Sequence, residues 1–501
     1  MLELDRGLAH GDEVVVEITD VTDRGMGKAI LEAVVGSQRK EMTYEIFVRK
    51  AIPGDTVRVL IERTRRKRCS GGWIEMIEPS VMRIEPKCPH FGRREEKDKG
   101  CGGCTFQSVT YRHQLAIKER MIKDRFKEAG VDTGLVLPVK GMEDPWNYRN
   151  KMEFSFGDDA DREFALGLFP TGYKYEILNL ETCYLQSEFV SRFIPLVRDW
   201  ASEQQLIPYL NSDGSGFLRT LTIREGKRTG ELMVELTTTE ASKTSMLGEE
   251  VDADEVIRQF QQFALSTATE LGTPITSLYW TRMRQQKGSP TAWFENHLHG
   301  KEVLGEELHL PGERALHFDI HPRAFFQPNT LGAEILYREV IEKAGLTPGT
   351  SLGTVLDLYC GTGTIGLCMA PFAEKVLGIE MQKDAVDNAR KNAVTNEIDN
   401  IEFFAGDVGS VLGSHEFQRA SREKIDLVIV DPPRSGLFAE AIKNILEIRA
   451  PTLVYVSCNP ATMAKNLVDL IDGGYELEVV QPVDLFPHTF HVENVGKLVR
   501  R

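Results

Sequence analysis

A cysteine and a glutamate near the C-terminus are of types that suit covalent catalysis. Cys458 follows the apolar run PTLVYVS and precedes Asn-Pro, while Glu493 lies in FPHTFHVEN (486–494) with two histidines. A thiolate is a strong nucleophile, and a carboxylate can accept a proton as a general base. A buried cysteine is usually a small packing residue. At the end of a predicted strand that faces a ligand crevice, however, Cys458 is better interpreted as a nucleophile.

A glycine-rich turn upstream is suited to binding a nucleoside cofactor. In TVLDLYCGTGTIG (354–366) the glycines remove side chains that would keep a ligand away from the backbone. Glu380 ends the next apolar run, about 20 residues after Asp357, where an acid can accept hydrogen bonds from ribose hydroxyls. The Walker lysine is absent and the dinucleotide glycine spacing is incomplete. We therefore predict S-adenosylmethionine rather than NAD or ATP, with Asp407 either near the adenine amino group or in a solvated turn.

Asp431 closes a further apolar run, in KIDLVIVDPPRSG (424–436). The two prolines that follow cannot continue a central strand. Asp431 is therefore predicted to lie at the carboxyl edge of the sheet, where doubly wound folds bind ligands. Arg434 follows the prolines and is a candidate for lowering the pKa of the Cys458 thiol.

Four cysteines in the first 200 residues have the pattern of a metal or cluster site. They are Cys88, Cys101, Cys104 and Cys183. Four thiolates can bind Zn²⁺ or an iron–sulfur cluster, and these residues alone do not choose between the two. Free thiols are the remaining alternative. No chemistry is assigned to Cys69, Cys360 or Cys368.

These residues need elements that position them, and the sequence predicts three regions. Residues 319–501 alternate apolar runs with helical segments, which predicts an α/β fold with a doubly wound, Rossmann-like parallel sheet. Residues 81–318 mix strand and helix patterns and predict an α+β central domain, with helical spacing at 118–130. Within that domain the polar, acidic stretch 238–270 is interpreted as a surface insertion.

The first 80 residues predict a small β domain. Five short β-branched runs separated by turns suit an OB-like barrel, a common platform for oligonucleotides. The net charge of the chain is −15, but residues 1–128 carry more basic than acidic side chains. They include the cluster Arg63, Arg65, Arg66, Lys67 and Arg68. Because salt screens distant charges, this cluster can bind phosphate locally, and a solvated basic turn is the alternative.

Membrane and export signals are missing from the sequence. No apolar run approaches the about 18 residues of a membrane-spanning helix. The first residues, MLELDRGLAHGDEVVVE, lack the apolar core of a signal peptide. We therefore expect a cytoplasmic protein without membrane association, with an organelle as the alternative if a leader has been removed. We expect a monomer because no protein partner is indicated.

Five segments, in this order, are similar to motifs of the RNA uracil-C5 methyltransferases. They are FFQPN (325–329), DLYCGTGTIG (357–366), DPPR (431–434), SCNPAT (457–462) and FPHTFHVENV (486–495). The N-terminal β domain resembles the TRAM domain found in many members. The matches cover the whole predicted sheet domain and, less specifically, the first 80 residues.

The resemblance implies a role for each candidate residue. Cys458 would be the nucleophile that adds to uracil C6, and Glu493 the base that removes the C5 hydrogen after methyl transfer. Six residues would surround the methyl donor or its junction with the target base: Gln327, Tyr359, Thr364, Glu380, Asp407 and Asp431. Cys88, Cys101, Cys104 and Cys183 would hold a 4Fe–4S cluster. The number of residues between Cys88 and Cys101 is larger than is common in the family. The charged stretch RREEKDK between them accounts for the excess as a looped-out insertion.

The resemblance also bears on the substrate, which would be a uridine flipped out of folded RNA. Family members with an iron–sulfur region and a TRAM domain lean toward large-subunit (23S-type) ribosomal RNA, and others act on the T-loop of transfer RNA. We therefore favour ribosomal RNA, with transfer RNA as the alternative.

Three other classes of protein share parts of this pattern. Amino-methyltransferases also carry a (D/N)PP motif, but they place an aromatic residue where this chain has Arg434. A non-catalytic iron–sulfur RNA-binding module would not need Cys458 and Glu493. A radical enzyme would need a CxxxCxxC triad, which the sequence lacks.

Overall fold

Three seven-stranded sheets follow one another along the chain in the computed structural model, with a two-stranded sheet between the second and the third. The structure describes residues 2–92, 100–240, 252–286, 288–310, 315–347, 349–421 and 424–501. The stretch RREEKDK and residues 241–251 of the predicted insertion lie outside these ranges.

The N-terminal sheet has seven strands, two more than the sequence predicts. They are β1 (Leu2–Leu4), β2 (Glu13–Glu17), β3 (Asp20–Val21), β4 (Gly27–Val35), β5 (Lys40–Arg49), β6 (Thr56–Arg65) and β7 (Arg68–Glu78). The curled sheet has the order β1-β4-β5-β7-β6-β2, with β3 paired to β4. Alternate side chains such as Val57, Val59 and Ile61 are buried, as the two-residue period of a strand requires. The two additional strands, β1 and β3, are too short to show that period in the sequence.

The basic cluster lies at the tip of the β6–β7 hairpin. Arg65 pairs with Arg68 across the turn, and Arg66 has a φ of +58°. Such a left-handed conformation is typical of tight hairpin turns. All five basic side chains of the cluster are exposed, and Arg68 also pairs with Glu45 on β5 at 2.7 Å.

Helix α1 (Tyr111–Ala129) precedes the central sheet and ends at the predicted cap, Gly130, whose φ is +79°. The sheet strands are β8 (Lys151–Asp158), β9 (Phe164–Leu168), β10 (Leu178–Asn179), β11 (Leu218–Glu225), β12 (Leu232–Thr239), β13 (Ser277–Arg284) and β14 (Ala292–Gly300). Their order is β10-β9-β8-β11-β12-β13-β14. Helices α2 (Glu188–Glu203) and α3 (Ala253–Glu270) contribute Phe193 and Phe260 to the core of this sheet.

The predicted surface insertion at 238–270 is wrong for the part that the structure describes. Residues 253–270 form α3, whose apolar face buries Phe260 and Ala264. The acidic residues lie at the start of this helix, where Asp252 accepts a hydrogen bond from the backbone N–H of Asp254 at 3.1 Å. A helix N-terminus favours negative charge. The acidic composition therefore marks the beginning of a helix.

The C-terminal region contains the remaining elements. The strands are β15 (Leu304–Leu308), β16 (Leu316–Ile320), β17 (Leu352–Leu358), β18 (Ala373–Glu380), β19 (Ile401–Ala405), β20 (Ile425–Val430), β21 (Thr452–Ser457), β22 (Tyr475–Val483) and β23 (Glu493–Arg500). The helices are α4 (Thr330–Lys343), α5 (Thr364–Met369), α6 (Lys383–Thr395), α7 (Val408–Leu412), α8 (His415–Ala420), α9 (Ala439–Ile448) and α10 (Pro460–Asp472). Short 3₁₀ turns occupy Thr133–Leu135 and Ala370–Phe372.

The last sheet is doubly wound, as predicted, and has two strands beyond the five expected. Its order is β19-β18-β17-β20-β21-β23-β22, in which β17 to β21 pair in parallel. Strand β23 is antiparallel to both neighbours and pairs Asn494 with Ser457. Because it runs in reverse, β23 starts at the edge where the parallel strands end. The reversed strand thus brings the C-terminal motif to the edge that carries the other motifs.

Packing also joins the earlier part of the chain to this sheet. Helix α1 contacts α10, and Val131, Val136 and Val139 belong to the same hydrophobic cluster as the sheet. The predicted domain divisions at residues 80 and 318 remain predictions. No helix in the described ranges has the length and hydrophobicity of a membrane-spanning segment.

Candidate active site

The turn between β17 and α5 exposes its backbone to a ligand. Tyr359, Gly361 and Gly363 have φ angles of +64°, +55° and +80°, so three left-handed residues bend the chain sharply. A Cβ on Gly361 would meet nothing within 4 Å, whereas a Cβ on Gly363 would lie 2.6 Å from the ring of Phe403. Gly363 is therefore required for packing, and Gly361 leaves an open approach to the turn.

Asp357 is fully buried at the end of β17, directly before this turn. Its Oδ2 accepts a hydrogen bond from the backbone N–H of Gly366 at 2.8 Å, and its Oδ1 has no partner. Burial, followed by the charge of Asp431, raises the pKa of Asp357 to about 8. The sequence prediction assigns this residue no role, although an acid that ends an apolar strand before a glycine turn is a usable signal.

Glu380 is tied directly to the glycine turn. Its carboxylate accepts hydrogen bonds from the backbone N–H groups of Gly361 at 3.2 Å and Gln382 at 2.8 Å. Glu380, at the end of β18, therefore contacts the glycine turn that follows β17, as the sequence predicts.

Asp407 and Thr364 flank the same turn. Asp407 is exposed and caps α7 by accepting from the backbone N–H of Ser410 at 3.2 Å. Burial raises the pKa of Tyr359, and the charge of Asp407 raises it further. The charge of one predicted residue therefore acts on the other. Thr364 is the first residue of α5, with its hydroxyl 3.3 Å from that of Thr362.

The FFQPN loop is fixed from two sides. Asn150, just before β8, donates from Nδ2 to the carbonyl of Gln327 at 2.8 Å. Asn329 donates from Nδ2 to the carbonyl of Leu485 at 2.8 Å and caps α4 through Oδ1. Gln327 is half-buried. Its loop thus connects the central sheet to the segment that leads to β23.

Cys458, Glu493 and Asp431 form a second group at the same edge. Burial raises the pKa of Cys458 to about 11, with further contributions from Glu493 and Asp431, while Arg434 acts in the opposite direction through its charge and a hydrogen bond. The predicted effect of Arg434 is therefore present but outweighed. Burial also raises the pKa of Asp431 to about 7 and that of Glu493 to about 8. The group is rich in carboxyls, and Arg434 is the cation that acts on Cys458 and Glu493.

The connection between β22 and β23, residues 484–492, places its two histidines differently. His491 lies beside Arg434, with Nδ1 3.5 Å from Nη2, and burial lowers its pKa to about 4. His488 stacks on Trp146 with ring centroids 3.8 Å apart. His491 and Glu493 therefore join the group around Cys458, whereas His488 is held among residues of the central region.

The four candidate metal-ligating cysteines are brought together although 95 positions separate the first from the last. Cys88, Cys101, Cys104 and Cys183 line one small cavity of about 20 Å³. All four are buried, and Gln107 donates from Nε2 to Cys104 Sγ at 3.1 Å. Among the residues that the structure describes, no three His, Cys, Asp or Glu side chains are arranged around a single metal ion. The thiols share a cavity without converging on one point.

The fold and this edge define a nucleoside-binding α/β enzyme, and comparisons with known proteins identify its family. The tRNA (uracil-5-)-methyltransferase family matches residues 296–501. An RNA methyltransferase of Protochlamydia amoebophila is 38% identical to this chain, and the alignment covers 89% of this chain and 98% of that protein. One of Caldanaerobacter subterraneus is 34% identical, with coverages of 98% and 99%.

A solved structure supports the same relationship. The tRNA (uracil-54, C5)-methyltransferase of Pyrococcus abyssi, in complex with S-adenosyl-L-homocysteine, is 26% identical and superposes with a TM-score of 0.70 over 97% of this chain and 100% of that chain. The chain belongs to the family of S-adenosylmethionine-dependent RNA uracil-5 methyltransferases. The predicted fold class, methyl donor and enzyme class are thereby confirmed.

Proposed function

We propose that this chain methylates C5 of a uridine in large-subunit ribosomal RNA, with Cys458 as the nucleophile and Glu493 as the base. The observation that carries the proposal is that Cys458, Glu493 and Arg434 lie together at the carboxyl edge of the sheet. Ser457 pairs with Asn494 across β21 and β23, and the carbonyl of Arg434 accepts a hydrogen bond from Asn459 Nδ2 at 2.9 Å. Neither a thiol nor a second carboxyl is needed for methylation of an amino group. A module that only binds RNA would need neither residue.

The methyl donor fits the acidic edge of the sheet. We place it among Gln327, Tyr359, Thr364, Glu380, Asp407 and Asp431. S-adenosylmethionine supplies a methyl group on a positively charged sulfonium. Buried carboxyls with raised pKa values gain from such a neighbour, because a nearby cation stabilises their ionised form. The open face of Gly361 leaves room for the nucleoside.

The protein residues divide the chemistry between them. The Cys458 thiolate adds to C6 of the uracil, which raises the electron density at C5. Arg434 favours the thiolate because its charge opposes the raised pKa of Cys458. Once C5 carries the methyl group, Glu493 accepts the C5 proton, and the bond between Sγ and C6 breaks. The raised pKa of Glu493 makes its ionised form a stronger base.

The four cysteines are proposed to hold a 4Fe–4S cluster. All four thiols are buried and line a single cavity, so one group can bind all of them. Four thiolates are the usual ligand set of such a cluster.

The choice of RNA rests on a combination of features. A basic hairpin on the N-terminal sheet and the four-cysteine cavity occur together here, which is the combination that favours ribosomal RNA in the family. The T-loop uridine of transfer RNA is the alternative, and the similarity to the Pyrococcus abyssi enzyme favours it.

Mass spectrometry of nucleosides decides between the two substrates. Ribosomal and transfer RNA are separated from cells with and without the gene, and 5-methyluridine is measured in each. We expect its loss from ribosomal RNA alone and its return when the intact gene, but not a Cys458→Ala variant, is restored. Loss from transfer RNA alone would establish the alternative, and no loss from either would refute the proposed function.

A further inference from the structure

The connection between β22 and β23 is anchored by helix α1, more than 350 positions earlier in the chain. Lys118 donates from Nζ to Asp484 Oδ1 at 2.6 Å, to the carbonyl of Phe486 at 3.1 Å and to the carbonyl of His491 at 2.8 Å. Lys118 and Asp484 are both completely buried. One ammonium group therefore binds the connection near its beginning and near its end.

The bonding of Lys118 is complete. An ammonium has three protons to donate, and the three acceptors of the connection take one each. Buried ion pairs add little stability compared with apolar residues of similar volume, because desolvation offsets the attraction. They do hold their partners in one arrangement, since any other leaves a buried charge unpaired. What this pair fixes is the path of residues 484–491, which lead directly into Glu493.

Gln114, one helical turn before Lys118, holds the middle of the connection. It donates from Nε2 to His488 Nδ1 at 3.1 Å and accepts at Oε1 from the backbone N–H of His488 at 2.9 Å. The carbonyl of His488 accepts from the backbone N–H groups of Thr105 and Phe106 at 2.7 and 2.9 Å. His488 has a φ of +65°, a strained conformation for a residue with a side chain that persists only where its surroundings impose it.

We propose that Gln114 and Lys118 are positioning residues of the methyltransferase: they set the place of Glu493 relative to Cys458 by holding the β22–β23 connection. This inference rests on the proposed roles of Cys458 and Glu493. It predicts which step of the reaction depends on the connection. Addition to C6 uses Cys458, which lies between β21 and α10, whereas removal of the C5 proton uses Glu493. Loosening the connection must therefore slow the last stage more than the first.

The test uses the full-length protein and compares RNA that contains uridine with RNA that contains 5-fluorouridine. Transcripts of large-subunit ribosomal RNA and of transfer RNA are prepared with uridine or with 5-fluorouridine. Fluorine at C5 cannot leave as a proton, so the fluorinated RNA reports addition and methyl transfer as a covalent adduct, while the uridine RNA reports complete turnover. Gln114→Met removes both side-chain bonds to His488 without leaving a buried charge. Lys127→Met, on the exposed side of the same helix, is the matched control.

We expect Gln114→Met to form the fluorouridine adduct at a rate within about twofold of the wild type and to turn over uridine RNA about 100-fold more slowly, the cost of a displacement of about 1 Å. On uridine RNA it accumulates a methylated adduct that survives denaturation. Lys127→Met behaves as the wild type. The paired variant Lys118→Met with Asp484→Leu removes both buried charges together and is expected to show the same imbalance.

Three results would overturn the inference. Normal turnover by Gln114→Met would show that its bonds are not needed. An equal fall in adduct formation and turnover would assign α1 a general role in folding. Adduct formation that is lost while turnover persists would reverse the order of steps. If the wild type acts on none of the four transcripts, the proposed function fails instead, independently of α1.

Discussion

At the scale of single residues, burial controls the acids around the reaction centre. It is the largest cause of the raised pKa values of Asp357, Asp431 and Glu493, which reach about 8, 7 and 8. The charge of Asp431 adds to the effect on the other two. Neighbouring carboxyls of this kind hold protons until a cation binds among them. We therefore expect binding of the sulfonium donor to be coupled to ionisation of Glu493, the proposed base.

The proposed division of labour predicts different failures for two variants. Cys458→Ala cannot activate the ring, so it should neither methylate RNA nor form a covalent complex. Glu493→Gln should add and transfer the methyl group, then stop before the C5 proton leaves. We expect it to accumulate a protein–RNA adduct that carries the methyl label on denaturing electrophoresis and that disappears in the double variant. Methylation by Cys458→Ala, or normal turnover by Glu493→Gln, would contradict the assignment.

The raised pKa values also predict how stability depends on pH without the donor. Unfolded carboxyls titrate near pH ~4, so between about pH 4 and pH 8 these three carboxyls hold more protons in the folded protein than in the unfolded chain. This stabilising contribution is complete below the unfolded pKa and is lost as the pH rises through the folded pKa. The melting temperature should therefore fall between about pH 6 and pH 8.5. The fall should be shallower for Glu493→Gln, while the exposed control Glu203→Gln keeps the wild-type slope; equal slopes for all three would refute the shift.

At the scale of elements, strand direction and hairpin turns place the chemistry. The reversed strand β23 brings its first residue to the edge where the parallel strands end. The β6–β7 hairpin places the basic cluster at its tip, away from the N-terminal core. The first element thus carries the proposed base, and the second carries the side chains proposed to contact phosphate.

Neutralising the hairpin should weaken RNA binding. In a variant with Arg65, Arg66 and Arg68 changed to alanine, each lost phosphate contact should lower the slope of log affinity against log salt by about 0.7–0.9. Filter binding at several salt concentrations measures this slope, and thermal stabilisation by S-adenosylmethionine should be unchanged. Arg258→Ala, an exposed change on α3, is the control. An unchanged slope would make the cluster an ordinary solvated turn.

At the scale of the whole molecule, three regions converge on the β22–β23 connection. A Cβ on Gly25, in the N-terminal sheet, would lie 2.7 Å from Thr105 Cγ2 and 2.9 Å from Phe490 Cβ. Thr105 directly follows the last cysteine of the CGGC pair and donates to His488. The sheet proposed to bind RNA, the cysteine loop and the connection to Glu493 are therefore in direct contact.

The cysteine cavity predicts a coloured protein. Purified without oxygen, the full chain should be brown and contain about four iron and four sulfide per molecule, as expected for a thiolate-bound cluster. Cys104→Ser should lose the iron, whereas Cys69→Ser, in the N-terminal core, should retain it. A colourless protein with one zinc per chain would move the site to the structural-metal class.

Local patterns in the sequence determined most of the fold. Five strands of each outer sheet are readable because alternation and continuous apolar runs are properties of neighbouring residues. The motifs after β17, β18, β20 and β21 lie at one edge because parallel strands end on the same side. The strands β1 and β3 could not be predicted, because they are too short to show the two-residue period. The acidic residues that begin α3 have the same composition as a polar loop, so the sequence did not reveal the helix.

The sequence by itself determined the candidates for the chemistry: the proposed nucleophile and base, the glycine turn with Glu380, and the four cysteines. Only the tertiary structure decided their environment and support. The pKa of Cys458 depends on burial and on acids distant in sequence, and Lys118 meets Asp484 across 366 positions. Long-range contacts of this kind leave no period or spacing along the chain, because the two partners are brought together by packing of elements that each fold from their own local pattern.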